Sequence, residues 1–504
     1  MSVAFGLDFG TTNSLITVIL PDLKTGKDIP YPLLQDGRPH PSVVWYPGID
    51  TPIVGQKAKD QCTELGLGVF GDIVRSPKMF LGLSRGVHVG GVTREAEDVA
   101  ADVLRFLRNE ALELEITGNP FNSAVITIPV KMDGRARAEL RQAARKAGFD
   151  VRQFIHEPLA ALYGYLRRQE NFRGKMARLE GRLVLVFDWG GGTVDLTLCQ
   201  FRDGVLTQVA NHGDREIGGD RFDESLVRLV KEKHGRQHPD ADWNRLQPTA
   251  EARLIQACED AKIDLSSRER TPIFCSDILA VPGPEKDISL ELTADELREA
   301  VRDLIRQGLN QISAVLDLAG LSRGDVEFCL ATGGMVEMPA IRNGLSEIFG
   351  MDRLRFPESP ATVISEGAAW IAHDNVAPLL AKPIELLVAN DHYIKLMKAG
   401  QLLPQGKNVS QKMNMYCVDP SDGFAKFLFA RPERPGREAH GDERLSYACL
   451  TLPVDRHSKP LFERLDVEIQ IDQDLICTIQ ASSSGTGKSS LEEIYDLEFG
   501  LRMP

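Results

Sequence analysis

No apolar run in this chain of 504 residues reaches the roughly 18 residues of a membrane span. The opening residues have no basic stretch ahead of an apolar core and enter a strand by Val3, so no secretory leader is expected. The eight cysteines form no C-x-x-C pair and mostly lie in apolar surroundings, as small core residues do. That usage fits a reducing cytoplasm. Basic residues are in deficit: 59 Lys and Arg against 72 Asp and Glu leave a net charge of −13. A phosphate backbone or an anionic membrane needs clustered cations, so neither nucleic acid nor membrane is expected as the main partner. The length is too great for one core and allows two or three domains.

Two short loops stand out against this background. One is Leu7-Asp8-Phe9-Gly10-Thr11-Thr12-Asn13; the other runs from Phe187-Asp188-Trp189 through Gly190-Gly191-Gly192 to Thr193-Val194-Asp195. Each ends an apolar strand on an Asp, turns on glycine and hydroxyl residues, and enters a second strand-like run. Glycines let backbone N–H groups close on a phosphate, and Thr11, Thr12, Asn13 and Thr193 add side-chain donors. An acid beside an anion site is repelled unless a cation lies between them. Mg²⁺ held from opposite walls by Asp8 and Asp188, with water between, resolves that conflict. Facing each other, the two loops would grip a polyphosphate from both sides.

Periodicity organises the rest. Glu95–Leu114 reads as an amphipathic helix, and Ala124–Ile128 as a strand closed by Pro129. Asp133 caps a helix ending near Gly148, and His156-Glu157-Pro158 opens another with Ala160 and Ala161 for close packing. Further helices are expected from Phe222, over Pro248–Ser266 and over Thr362–His373. A third glycine turn, Gly333-Gly334, follows the strand Val326–Leu330. From about Asn375 prolines interrupt and short segments alternate. Leu465 to Asp472 reads as a half-buried strand returning through Leu475, Cys477 and Ile479. Tyr393–Met397 and Phe424–Ala430 form a second candidate hairpin. Pro432–Glu443 reads as a surface loop.

The runs GLDFGTTNS, FIHEPLAALYGY, LVFDWGGGTVDLTL, IGGDRFDESL and ACEDAKIDLSS, and the turn ATGG before MPAIR, resemble the heat-shock-70 (DnaK-like) chaperones. That family belongs to the actin-like ATPase superfamily, and the runs span residues 3 to about 373 in its order. The resemblance implies an α/β, two-lobed actin-like (ribonuclease H-like) ATPase domain over 1–376. A linker over 377–384 and an all-β sandwich over 385–504 follow. It implies ATP and ADP as ligands with Mg²⁺, slow hydrolysis, polypeptide clients and possible co-chaperones. Lys78 falls on the family's catalytic lysine, where it would orient water and neutralise charge on the γ-phosphate. Outside that context it would read as a solvated surface residue. Glu157 and Asp195 match the remaining acids, and Thr193 the γ-phosphate contact. Gly218, Gly219, Glu259, Lys262, Ser266, Gly333 and Gly334 match ribose and adenine contacts. Pro129 matches a proline proposed to switch between domains; its plain role is to end a strand.

The chain departs from the family at two arginines that flank adenine. Ile263 and Glu337 occupy those positions, and Met335 replaces a serine. Weaker ATP binding or an altered base preference is expected, unless Ile263 and Met335 form an apolar sandwich of similar strength. The linker Ala377–Ile384 lacks the family's aspartate-flanked leucine run and carries Pro378 and Pro383, although Leu379 and Leu380 remain able to dock. No lid sequence follows before Pro504, so fast peptide exchange is expected. Gly485-Thr486-Gly487-Lys488-Ser489 imitates a phosphate-binding loop, but Ser482 stands where its first glycine belongs, so it reads as a hairpin turn. His234 and His238 have helical spacing that Gly235 and Pro239 are expected to break. The leading function is a peptide-binding ATPase chaperone. The alternative is a nucleotide-binding scaffold acting through one partner. A filament-forming ATPase is disfavoured by the β region, and a sugar kinase by the order of motifs.

Overall fold

The computed structural model describes residues 5–48, 51–65, 72–83, 85–113, 120–214, 216–404, 407–433 and 444–504. Leu114 and most of the Pro432–Glu443 segment lie outside the described residues. The chain forms a mixed α/β region followed by a β-rich one.

Two sheets repeat one plan within the α/β region. In the first, Phe5–Phe9 pairs antiparallel with Asn13–Pro21 on one side and parallel with Ser123–Ile128 on the other. In the second, Leu183–Trp189 pairs antiparallel with Val194–Arg202 and parallel with Val326–Thr332. Both central strands are almost wholly apolar and buried, as strands covered on both faces must be. The polar exception in each is the aspartate near its end. Asp8 and Asp188 therefore hold equivalent places, and each has a threonine, Thr127 or Thr332, as parallel-strand partner.

Helix contacts follow from small residues. Glu157–Arg167 crosses Val363–His373 so closely that a Cβ on Gly367 would stand 1.8 Å from the Ala160 carbonyl oxygen. Asp133 accepts from the Ala136 amide to cap Gly134–Lys146. The expected long helices are present as Ala96–Glu113, Gly219–Gln237 and Ala250–Asp264. One expectation fails: Gly235 does not stop the helix, which carries His234 buried against Trp243 before ending at Gln237. Tertiary packing of that face overrides a weak breaker.

The β-rich region is two four-stranded sheets. One orders His392–Met397, Ile384–Val388, Phe424–Pro432 and Arg444–Pro453; the other orders Val409–Tyr416, Arg464–Ile471, Cys477–Ser483 and Ser489–Ile494. The hairpin expected from Tyr393–Met397 and Phe424–Ala430 does not exist. Both segments are strands, but each pairs with Ile384–Val388 between them. Gly485–Lys488 turns between two strands, as expected. The turn after Ile471 docks on the α/β region. Arg137, only 1% exposed, donates to the carbonyls of Asp474, Leu475 and Tyr495, and Arg141 meets the Asp474 carboxylate at 2.5 Å. Within the segment expected as a linker, Pro378–Leu380 is a buried strand. The final strand, Phe499–Arg502, enters the second α/β sheet.

Candidate functional site

The two glycine loops face each other. A Cβ on Gly191 would stand 2.9 Å from the Thr12 hydroxyl, and one on Gly192 would lie 3.9 Å from the Thr11 side chain. Gly10 turns so tightly that a Cβ there would meet the Asn13 carbonyl at 2.1 Å, so only glycine fits. Ser42 steadies this loop by donating to the Gly10 carbonyl at 2.9 Å. Across from it, Gly190 N–H bonds the Thr193 carbonyl at 2.9 Å. Gly218 and Gly219 pack on that second loop, with Gly219 N–H bonding the Gly190 carbonyl at 3.2 Å.

Acids collect between the loops. Thr127 donates to Asp8 at 2.6 Å and Thr332 to Asp188 at 3.1 Å. Burial, then the Glu157 charge, pushes Asp8 up to about 6 against the pull of Lys78. Burial, then Glu157 and Asp195, pushes Asp188 up to about 8. Asp195 is also raised, chiefly by burial, while its hydroxyl bond from Thr193 at 2.8 Å opposes the rise. Such a set is a site built for positive charge that the side chains only partly supply. Lys78 is the buried cation here, 7% exposed and 2.8 Å from Glu157.

The donor set fits Mg²⁺ held through water. Among the described residues no three His, Cys, Asp or Glu side chains converge as a direct ligand cage. Asp8 and Asp188 instead offer one hard oxygen-bearing group from each wall, which Mg²⁺ accepts while keeping several waters.

Apart from these acids, Lys262, Glu259, Met335 and the Gly218–Gly219 turn come together. Lys262 donates to the Gly219 carbonyl at 3.1 Å and pairs with Asp223 at 2.7 Å. Burial raises Asp223 to about 7 despite that lysine. Glu259 is half-buried, and Lys59 at 2.7 Å holds it below its usual value against the effect of that burial. This pair ties Gln56–Leu65 to Ala250–Asp264. Ser266 donates back to the Lys262 carbonyl. Met335 is buried, with its sulfur 3.0 Å from the Cβ position of Gly219, and Ile263 is exposed. Gly333 takes φ +86° beside Asp188, and Gly334 follows it in the third turn. Thr127, Thr332, Lys59 and Asp223 were not singled out from the sequence. Asp223, inside the GGDRFD run, and Thr332, inside the ATGG turn, carried a local signal; Thr127 and Lys59 become visible through pairing between distant segments.

Residues 83–378 match the family model described as Hsp70 protein. The chain is similar to the chaperone protein DnaK of Thermosipho melanesiensis: 29% identical over 497 residues, covering 96% of this chain and 78% of that protein. DnaK of Thermosipho africanus is 28% identical over 491 residues, with the same coverage of 96% and 78%. DnaK of Deinococcus deserti is 33% identical over 371 residues, 69% of this chain and 56% of that protein.

Proposed function

The chain belongs to the Hsp70 family, and from that premise we propose an ATP-dependent, DnaK-like chaperone that hydrolyses ATP slowly in the cleft between two actin-like lobes. The repeated sheet plan, with Asp8 and Asp188 at equivalent strand ends, is the observation that carries this reading. Residues 1–376 form the ATPase domain, 377–384 the linker, and 385–504 a β-sandwich binding extended polypeptide segments through main-chain bonds and a side-chain pocket. No helix among the described residues is long and apolar enough to cross a membrane, and all eight cysteines are free; a cytoplasmic site of action is part of the proposal.

The glycine loops and Thr11, Thr12, Asn13 and Thr193 bind the phosphates. Gly218, Gly219, Glu259, Lys262, Ser266, Gly333 and Gly334 bind ribose and base. Mg²⁺, when bound, neutralises phosphate charge beside Asp8 and Asp188. Lys78, oriented by Glu157, holds the attacking water and stabilises charge on the γ-phosphoryl group as the bond to the β-phosphate breaks. Asp195 orients Thr193 through their 2.8 Å bond. Little covalent chemistry is required of the protein, so positioning and charge do most of the catalysis.

Single-turnover hydrolysis with Lys78→Ala tests the assignment. We expect a rate loss of about 100-fold or more with nucleotide still bound. Turnover that survives the substitution removes Lys78 from the mechanism. Peptide-array binding with and without ATP separates this reading from a nucleotide-binding scaffold, for which no peptide binds in either state.

A further inference from the structure

The linker strand does not reach the ATPase sheet directly. The final strand lies between them. It pairs Leu501 with Leu206 and Arg502 with Val205 on one side. On the other it pairs Phe499, Gly500 and Leu501 with Leu380, Leu379 and Pro378. Backbone bonds close the arrangement: Met503 N–H to the Gly204 carbonyl at 2.9 Å, Arg502 N–H to Ala377 at 3.3 Å, and Ala381 N–H to Glu498 at 3.0 Å. Phe499 and Leu501 are buried. Gly500 permits the approach, since a Cβ there would stand 2.6 Å from the Leu206 carbonyl oxygen and 2.8 Å from Thr207. The root of the strand is held by Glu498, which meets Lys382 at 2.7 Å and Arg431 at 3.3 Å.

The strand also reaches towards the catalytic centre. The Phe499 ring stacks on His156, with centroids 3.9 Å apart and planes at 27°. His156 is neutral, because burial and then the Arg137 charge lower it to about 3. It is the residue immediately before Glu157, which pairs with Lys78 at 2.8 Å. A shift of Phe499 therefore acts one residue from the carboxylate that orients the lysine.

We propose that the strand Phe499–Arg502, rather than the linker itself, couples the β-sandwich to the ATPase centre, with Phe499 as a positioning residue acting on Glu157 through His156. In the order of the sheet, the linker strand Pro378–Leu380 pairs with Phe499–Arg502, which in turn pairs with Val205–Asp214. Two register pairs join it to the ATPase sheet and three to the linker, so the seam that opens lies between Phe499–Arg502 and Val205–Asp214. When the strand is seated, the start of the helix Glu157–Arg167 is clamped; when it lifts, that clamp is released together with the linker. The role of Phe499 rests on the ATPase reading above, whereas the docking role of the strand does not.

The full chain is tested by hydrogen exchange and by single-turnover kinetics. Gly500→Val places branched bulk against Leu206 and is expected to speed exchange of the Met503 amide, which bonds Gly204 across the seam, at least tenfold, with Leu183–Trp189 unchanged. The cross-strand pair Val205→Cys with Arg502→Cys, made on Cys449→Ser, locks the seam when oxidised and is expected to slow the Met503 amide at least tenfold. Unchanged exchange in the locked protein overturns the docking role, including where Gly500→Val fails to fold. Phe499→Leu is expected to change the single-turnover rate at least fivefold while ATP affinity stays within twofold. Combining it with His156→Leu adds no further change, because both act through one contact. An unaltered rate, or effects that multiply, overturns the positioning role. A wild-type chain that does not hydrolyse ATP removes the ATPase reading and the Phe499 role together, while the exchange result still decides the docking role.

Discussion

Asp8 and Asp188 have folded-state values raised above the carboxylate value of the unfolded chain, 3.8, to about 6 and about 8. A raised acid binds its proton more tightly when folded, so its contribution is complete below the unfolded value and is lost as pH rises through the folded one. The metal- and nucleotide-free protein should therefore lose stability from about pH 4 to about pH 8, more steeply below the folded value of Asp8 than between that value and the one of Asp188. Asp188→Asn should flatten that slope and stabilise the free protein at pH 8.5 by about 2 kcal/mol, read from urea melts across pH. An unchanged slope in the variant would show that Asp188 is not the strained charge. At the base end, Ile263 is exposed on the helix that also carries Glu259 and Lys262. Ile263→Arg restores a guanidinium plane at the position where the family has one, and should tighten ATP binding about tenfold by calorimetry. Equal affinity in the two proteins would mean that the apolar surface of Ile263 and Met335 already suffices.

At the scale of elements, the crossing of Glu157–Arg167 over Val363–His373 sets where Glu157 stands. Gly367→Ala drives a methyl into the Ala160 backbone, which cannot rotate away, and should cost about 3 kcal/mol or more in chemical denaturation. A cost under about 1 kcal/mol would mean that the helices separate freely. Ala160 and Ala161 were legible as small residues for close packing, whereas Gly367 on the facing helix was not singled out. The two facing glycine loops were legible because their glycines, hydroxyls and aspartates are contiguous. Strand partners were not. Alternation marks Tyr393–Met397 and Phe424–Ala430 as strands but carries no statement of what lies beside them, and Ile384–Val388 takes the place between. Likewise nothing near Thr127 announces that it will sit beside an aspartate more than 100 residues away. The helix through Gly235 was missed because the burial of His234 outweighs a single poor helix former.

For the whole molecule, the question is whether the β-rich region melts with the α/β region or apart from it. One core is continuous from Phe5 and Ile126 through Phe154 to Leu475, Ile479 and Phe499, so apolar burial crosses between the regions. Arg141 meets Asp474 and Gln473 across the junction, and the larger polar share falls to Arg137. Its guanidinium serves the Met132 carbonyl on its own side and the Asp474, Leu475 and Tyr495 carbonyls on the other. Burial lowers its pKa to about 10, which still leaves it charged near neutrality. Arg137→Met keeps much of the volume but leaves buried carbonyls on both sides without donors, each costing about 1 kcal/mol or more. The loss falls on the junction rather than on either region's own core. Calorimetry should therefore resolve one cooperative transition in the parent chain into two in the variant, the β-rich region melting first. If the variant instead shows a single transition shifted as a whole, the shared apolar core joins the regions more strongly than the arginine does.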